Sequence, residues 1–159
     1  MTGIFQEMQE MKEAMFYDSL DGKVRCHLCN HQSMIKEGKR GICSVRENRE
    51  GKLYSLVYGR SVSTGIDPIE KKPFFNFYPG STAYSISTVG CNFRCLNCQN
   101  WDISQMPKGK EGKIAGEELL PEKIVTEARN RGCKSIAYTY TEPTIFFEYA
   151  RILSRSATA

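Results

Sequence analysis

No run in this 159-residue sequence is long and apolar enough to cross a bilayer, and no leader of the secretory kind opens it. A cytoplasmic protein without a membrane partner is the expectation. Charge of one sign is also scarce. The 22 Lys and Arg against 18 Asp and Glu leave a formal net charge of +4, which suits an acidic partner and does not indicate nucleic acid. Histidine is scarcer still: there are two, His27 and His31. Cysteine is the exception. Seven cysteines in an expected reducing compartment point to metal binding more than to disulfides, and the odd number rules out complete pairing. Hydrophobic content of 40% and charged content of 25% are ordinary for one globular domain, with or without a small appendage.

Three cysteines fall at Cys91, Cys95 and Cys98, spaced C-x3-C-x2-C between Val89 and Trp101. A cubane [4Fe–4S] cluster has four irons, each usually held by a thiolate. Three thiolates leave one iron open to a further ligand, which allows chemistry as well as electron transfer. A structural zinc site, or cysteines that merely pack together, is the alternative. Zinc wants a fourth ligand nearby, and no histidine follows in this segment.

The surrounding pattern places this run at the end of a strand. Residues 82–89 alternate, with Tyr84, Ile86 and Thr88 on one face and Ala83, Ser85 and Ser87 on the other. A helix is expected from Pro121, with Glu117, Glu118 and Glu122 near its positive end. Leu120, Ile124 and Ala128 would mark its buried face, and Gly132 its stop. A second strand over 135–140 leads into Thr141-Glu142-Pro143, and 145–153 reads as helix. A strand–helix–strand unit of this length makes its strands parallel, so both ends open on the edge where α/β folds place their sites. Adjacent strands lie about 4.8 Å apart, so the cysteine loop and the Thr141-Glu142 turn are expected to form one composite site. Cys133 reads as a small buried residue. Asp102 and Glu148 have no evident partner, and no residue is assigned a catalytic role.

Upstream, Ile4, Met8, Met11 and Met15, widened by Phe5 and Phe16, fit an amphipathic helix over the first twenty residues. Residues 21–60 read as a loop-rich unit with a strand over 53–58. There Cys26, Cys29 and Cys43 make C-x2-C-x13-C; with His27 or His31 they could form a tetrahedral zinc site, and plain buried cysteines are the equal alternative. Lys36, Lys39, Arg40, Arg46, Arg49 and Lys52 read as a solvated face. Residues 61–80 are expected to connect this N-terminal unit (1–60) to a second unit (81–159) without long regular structure. The aromatics Phe74, Phe75, Phe77 and Tyr78 would pack between the two, with Lys71 and Lys72 solvated.

Several segments together resemble a known family. Cys26-His27-Leu28-Cys29, residues 38–48, residues 67–73, the cysteine loop through Trp101 and residues 138–144 are similar to radical S-adenosylmethionine (SAM) proteins of the AmmeMemoRadiSam system. Those are related to pyruvate formate-lyase activating enzymes. The resemblance implies an α/β fold, the N-terminal part of a partial (β/α)6 TIM-like barrel behind a small cysteine-rich segment. It implies a [4Fe–4S] cluster on Cys91, Cys95 and Cys98, and SAM contacted by Asn97, Thr141 and Glu142. It also implies a reducing electron donor of flavodoxin or ferredoxin type. The reaction would be hydrogen-atom abstraction by a 5′-deoxyadenosyl radical from an unknown substrate, a protein among the options. Activation of a glycyl radical enzyme is one alternative, and a non-catalytic Fe–S or metal-binding module is another. Asn97 stands where many relatives carry an aromatic residue against the adenine, and Ser33 where they often carry a further cysteine. The sequence from 81 to 159 holds fewer strand–helix units than the family's barrel, and its tail does not look like the family's continuation.

Overall fold

A computed structural model describes residues 11–158. The N-terminal unit contains β1 (Lys12–Glu13), β2 (Tyr17–Leu20), β3 (Lys23–Cys26), β4 (Met34–Ile35), β5 (Arg46–Arg49) and β6 (Lys52–Ser55). They form two antiparallel three-stranded sheets, ordered β2-β3-β4 and β1-β6-β5. Two hairpins set the registers. Asp21 and Gly22 have φ of 46° and 74° between β2 and β3, and Glu50 and Gly51 have 53° and 75° between β5 and β6. Two consecutive positive φ values match the right-handed twist of the flanking strands, and Asp-Gly adopts them readily. Ala14, Val24, Cys26, Ile35 and Leu53 form the small core of this unit.

The helix expected over the first twenty residues is not found in its described part. Residues 12–13 and 17–20 are strands, Phe16 is exposed with φ of 58°, and Met11 is exposed. Sheet pairing wins here because β3 and β6 offer backbone partners along this segment. Ile4, Phe5 and Met8 lie outside the described residues.

The second unit contains β7 (Arg60–Ser61), β8 (Ser63–Pro68), β9 (Thr82–Ser87), α1 (Trp101–Gln105), β10 (Glu117–Glu118), α2 (Pro121–Asn130), β11 (Ser135–Tyr138) and α3 (Phe147–Thr158). Its main sheet runs β11-β9-β8, while β10 pairs with β7. The expected parallel pair is present, with Ser135 opposite Ala83 and Tyr138 opposite Ile86. β8 pairs antiparallel with β9 from Ser63–Ser87 to Pro68–Thr82, so residues 63–68 belong to the sheet instead of an irregular connector. Among the described residues the sheets are small and none closes.

Tyr84 and Ile86 on one face of β9 join Ile124, Val125, Phe146, Tyr149 and Leu153 in the larger core. Val45 and Val57 of the N-terminal unit belong to the same cluster, so one core crosses both units. α2 starts at Pro121 as expected. Ile124 and Ala128 are buried, but Leu120 is 45% exposed and Leu119 takes the inward place. Cys133 is half-buried and accepts from Thr82 Oγ1 at 3.6 Å. The aromatics expected between the units, Phe74, Phe75, Phe77 and Tyr78, are exposed instead, with the Phe77 ring against those of Phe74 and Tyr78. No helix among the described residues is long and apolar enough to cross a membrane.

A buried ion pair ties the units together. Arg46 and Glu148 are 1% and 2% exposed, and Nη2 meets Oε1 at 2.7 Å. The same two atoms hold the backbone of Met15: its N–H donates to Glu148 Oε1 and its carbonyl accepts from Arg46 Nη2, both at 2.7 Å. Arg46 is therefore not part of a solvated face. Arg40 also departs from that expectation, donating to Glu47 and to Gly112 O. Removing one partner of such a pair strands a buried charge. Glu148→Ala should cost about 3–5 kcal/mol in urea unfolding, and the double change Arg46→Met with Glu148→Leu should recover most of it. A loss under about 1 kcal/mol for Glu148→Ala would show that the join is held elsewhere.

Candidate metal and cofactor site

β9 delivers the chain into the cysteine loop through Thr88, Val89 and Gly90. Gly90 has φ of +92°, and a Cβ there would lie 2.5 Å from Val45 Cγ1 and 2.9 Å from Cys43 O. Only glycine permits this conformation and this approach together. The loop is pinned again where His31 Nε2 meets Asn92 O at 3.0 Å. The cysteine-rich unit thus packs directly on the start of the cysteine loop, a contact with no local sequence signal.

Cys91 is buried, Cys98 half-buried and Cys95 exposed. Phe93 N donates to Cys91 Sγ at 3.4 Å, and Cys98 Sγ lies 3.6 Å from Ser104 Oγ. The three thiols share one loop but do not converge: among the described residues no three Cys, His, Asp or Glu side chains gather closely enough to share a metal ion. Their chemistry nonetheless suits an iron–sulfur cluster. The donors between residues 91 and 98 are thiols alone, and no helix or strand ladder restrains 91–100.

The parallel register brings the second turn to the same edge. Thr141 Oγ1 lies 3.1 Å from Ser87 Oγ and donates to Thr88 O at 3.0 Å, so Thr141 is fastened to the end of β9 just before the cysteines. Glu142 follows on this edge, with Oε1 accepting from Thr144 N and Thr144 Oγ1 at 3.1 and 2.6 Å. Asn97 is exposed on the loop. Strand ends and turn are thus neighbours, as the strand–helix–strand reading expects.

A cavity of about 780 Å³ opens beside these turns, lined in part by Lys72, Phe74, Phe77, Asn100, Tyr140 and Thr141. Three of its lining residues, Lys71, Lys72 and Tyr140, converge on Asp67, which the sequence reading left without a role. Asp67 accepts from Lys71 Nζ at 2.6 Å, Lys72 Nζ at 2.7 Å, Ser85 Oγ at 2.9 Å and Tyr140 Oη at 2.9 Å. Lys72 is largely buried and lies over the Tyr140 ring at 5.0 Å, so it is not a solvated surface lysine; Lys71 remains exposed. Tyr140 adopts φ of +66°, uncommon for a tyrosine, and reaches back across the sheet to Asp67. The side chain fits because residue 65 is glycine: a Cβ there would sit 3.2 Å from Tyr140 Oη. The sequence signal was Asp-Pro-Ile-Glu-Lys-Lys, whose i,i+4 and i,i+5 charges flank one short turn.

Residues 85–159, which contain the three cysteines and the Thr141-Glu142 turn, match the family model of the Radical SAM superfamily. The match is to the superfamily as a whole; the narrower likeness to AmmeMemoRadiSam or activating-enzyme proteins rests on the motifs alone. The chain is 54% identical over 140 residues to the uncharacterized protein MJ0808 of Methanocaldococcus jannaschii, an alignment spanning 87% of this chain and 41% of that protein. It is 33% identical over 82 residues to the uncharacterized protein MJ0674 of the same organism, spanning 51% of this chain and 19% of that one. The chain thus spans less than half the length of either curated relative. No solved structure matches.

The cations of Lys71 and Lys72 hold the Asp67 carboxyl far below the usual carboxylate range. Between its folded value and the ordinary value of about 3.9, the folded chain binds fewer protons than the unfolded one. The stabilisation is therefore complete above about pH 4 and is lost as pH falls through the folded value. Asp67→Asn should destabilise the protein at neutral pH and flatten the acid limb of its stability curve below about pH 4. An unchanged acid limb would show that Asp67 does not couple the strand to the turn.

Proposed function

We propose that this chain is the cluster-bearing part of a radical SAM enzyme, with Cys91, Cys95 and Cys98 as ligands of one [4Fe–4S] cluster that keeps an iron open for SAM. With a cluster and SAM held there and an electron from a reducing donor, the chemistry supplied would be hydrogen-atom abstraction by a 5′-deoxyadenosyl radical. What carries this reading is the parallel β9–β11 register, which sets the cysteine loop beside the Thr141-Glu142 turn within the segment that matches the superfamily.

The residues of this chain then take distinct parts. Three thiolates hold the metal and leave a position open. Glu142 offers a carboxylate to the amino group of SAM, and its bonds to Thr144 hold that turn in shape. Thr141 ties the turn to the end of β9. Asn97 contacts SAM by hydrogen bonding where an aromatic residue would stack. Phe74, Phe77 and Tyr140 give the adjoining cavity apolar walls that help exclude water from a radical. The cations Arg94 and Lys108, in a chain of net charge +4, favour a reducing donor with an acidic surface, as flavodoxins and ferredoxins have.

Anaerobic reconstitution with iron and sulfide should give a reducible cluster whose EPR spectrum changes when SAM is added. Alanine at any one of Cys91, Cys95 or Cys98 should abolish the stable cluster. A spectrum indifferent to SAM would favour an electron-transfer module, and a cluster that survives all three substitutions would remove the ligand assignment.

A further inference from the structure

A second set of thiols shares a cavity outside the cysteine loop. Cys26 closes β3, Cys29 lies in the turn that follows and Cys43 precedes β5; with Ser33 and Arg46 they line one small pocket beside Ile145. Backbone bonds bring them there. Cys26 N donates to Ser33 O at 3.0 Å and Gln32 N to Cys29 O at 3.1 Å, folding 26–33 back on itself. Ile42 N donates to Ser33 Oγ at 3.4 Å, and a Cβ at Gly41 would lie 3.5 Å from Ser33 Cβ, so the segment before Cys43 closes on the knuckle.

The histidines that spacing offered as fourth ligands are engaged elsewhere. His27 Nε2 meets Asp18 Oδ2 at 2.7 Å, and His31 Nε2 meets Asn92 O at 3.0 Å. Ser33 offers an oxygen donor in the pocket, while Thr144 Oγ1, also in its lining, is committed to Glu142. Arg46 supplies an independent observation. It is 1% exposed, its Nη2 makes the bonds to Glu148 and Met15, and its Nε and Nη1 have no hydrogen-bond partner among the described residues. A metal-bound thiolate is an acceptor suited to such a donor, whereas a thiol accepts only weakly.

We propose that Cys26, Cys29 and Cys43 bind one zinc ion, with Ser33 or a water in the fourth position and Arg46 donating to the thiolate sulfurs. Three thiolates with one oxygen donor match the four-coordinate tetrahedral preference of zinc. In the structure the sulfurs line the pocket without converging within reach of one ion, so binding draws the Cys29 turn inward. The gain is largest for a unit whose own core holds only a few residues.

The test uses the full chain with Cys91, Cys95 and Cys98 all changed to alanine, so cluster iron does not contribute. It should purify with about one zinc per chain, and Co²⁺ alone should give the intense absorption of a tetrahedral thiolate site. Adding Cys29→Ala, at a half-exposed position, should remove both signals while far-ultraviolet circular dichroism shows a folded chain. Ser33→Cys should keep zinc and strengthen the thiolate-to-cobalt band. A folded triple variant without zinc and with a weak six-coordinate cobalt spectrum overturns the site, and zinc retained after Cys29→Ala overturns the ligand set. Iron with acid-labile sulfide overturns the choice of zinc. Should the triple variant fail to fold, zinc is counted beside iron in the unaltered chain, with the same readings. None of these outcomes depends on the Cys91 loop binding SAM, so the two proposals fail separately.

Discussion

β9 is paired on both sides, antiparallel with β8 and parallel with β11, and the parallel partner can be reached only through a crossover. That crossover is α2, and it covers the apolar face of the sheet. On the opposite face Ser85 donates to Asp67, which also accepts from Tyr140, and Ser87 Oγ lies within hydrogen-bond distance of Thr141 Oγ1. One pairing therefore decides where the core lies, which face stays polar and which turns meet at the strand ends.

The N-terminal unit is part of the same design. Its Val45 and Val57 enter the main core, its Arg46 pairs with Glu148, and its Cys43 carbonyl closes against Gly90. A buried ion pair contributes little net stability when weighed against apolar residues, because desolvation offsets the attraction. What it supplies here is position. Two atoms fix the backbone of Met15, the start of β5 and the start of α3 at once. The cysteine loop is seated on this assembly through Gly90 and Asn92, so both sets of thiols depend on it.

The legible parts were those governed by local rules. Alternation over Thr82–Ser87, proline at the first turn of α2 and the length of the crossover were enough for the parallel pair and for the approach of the Thr141 turn to the end of β9. The misread parts turn on distant partners. Methionine spacing suggested a helix before residue 20, yet β3 and β6 take that segment into sheets, and the Asp21-Gly22 turn was the signal for a hairpin. Phe74 to Tyr78 read as core and lie exposed, because the space between the units is filled by Val45, Val57 and Tyr149.

By itself the sequence determined the donor chemistry: three thiols at C-x3-C-x2-C, a second thiol triplet upstream, and a strand–helix–strand frame, all properties of spacing along the chain. Only the tertiary structure decided the company those residues keep. That Glu148 meets Arg46 across 102 positions, that Tyr140 reaches Asp67 across the sheet, and that His27 and His31 are committed away from Cys26, Cys29 and Cys43 follow from packing. Partners far apart in sequence are chosen by which surfaces the sheet and core bring into contact, and no local pattern encodes that choice.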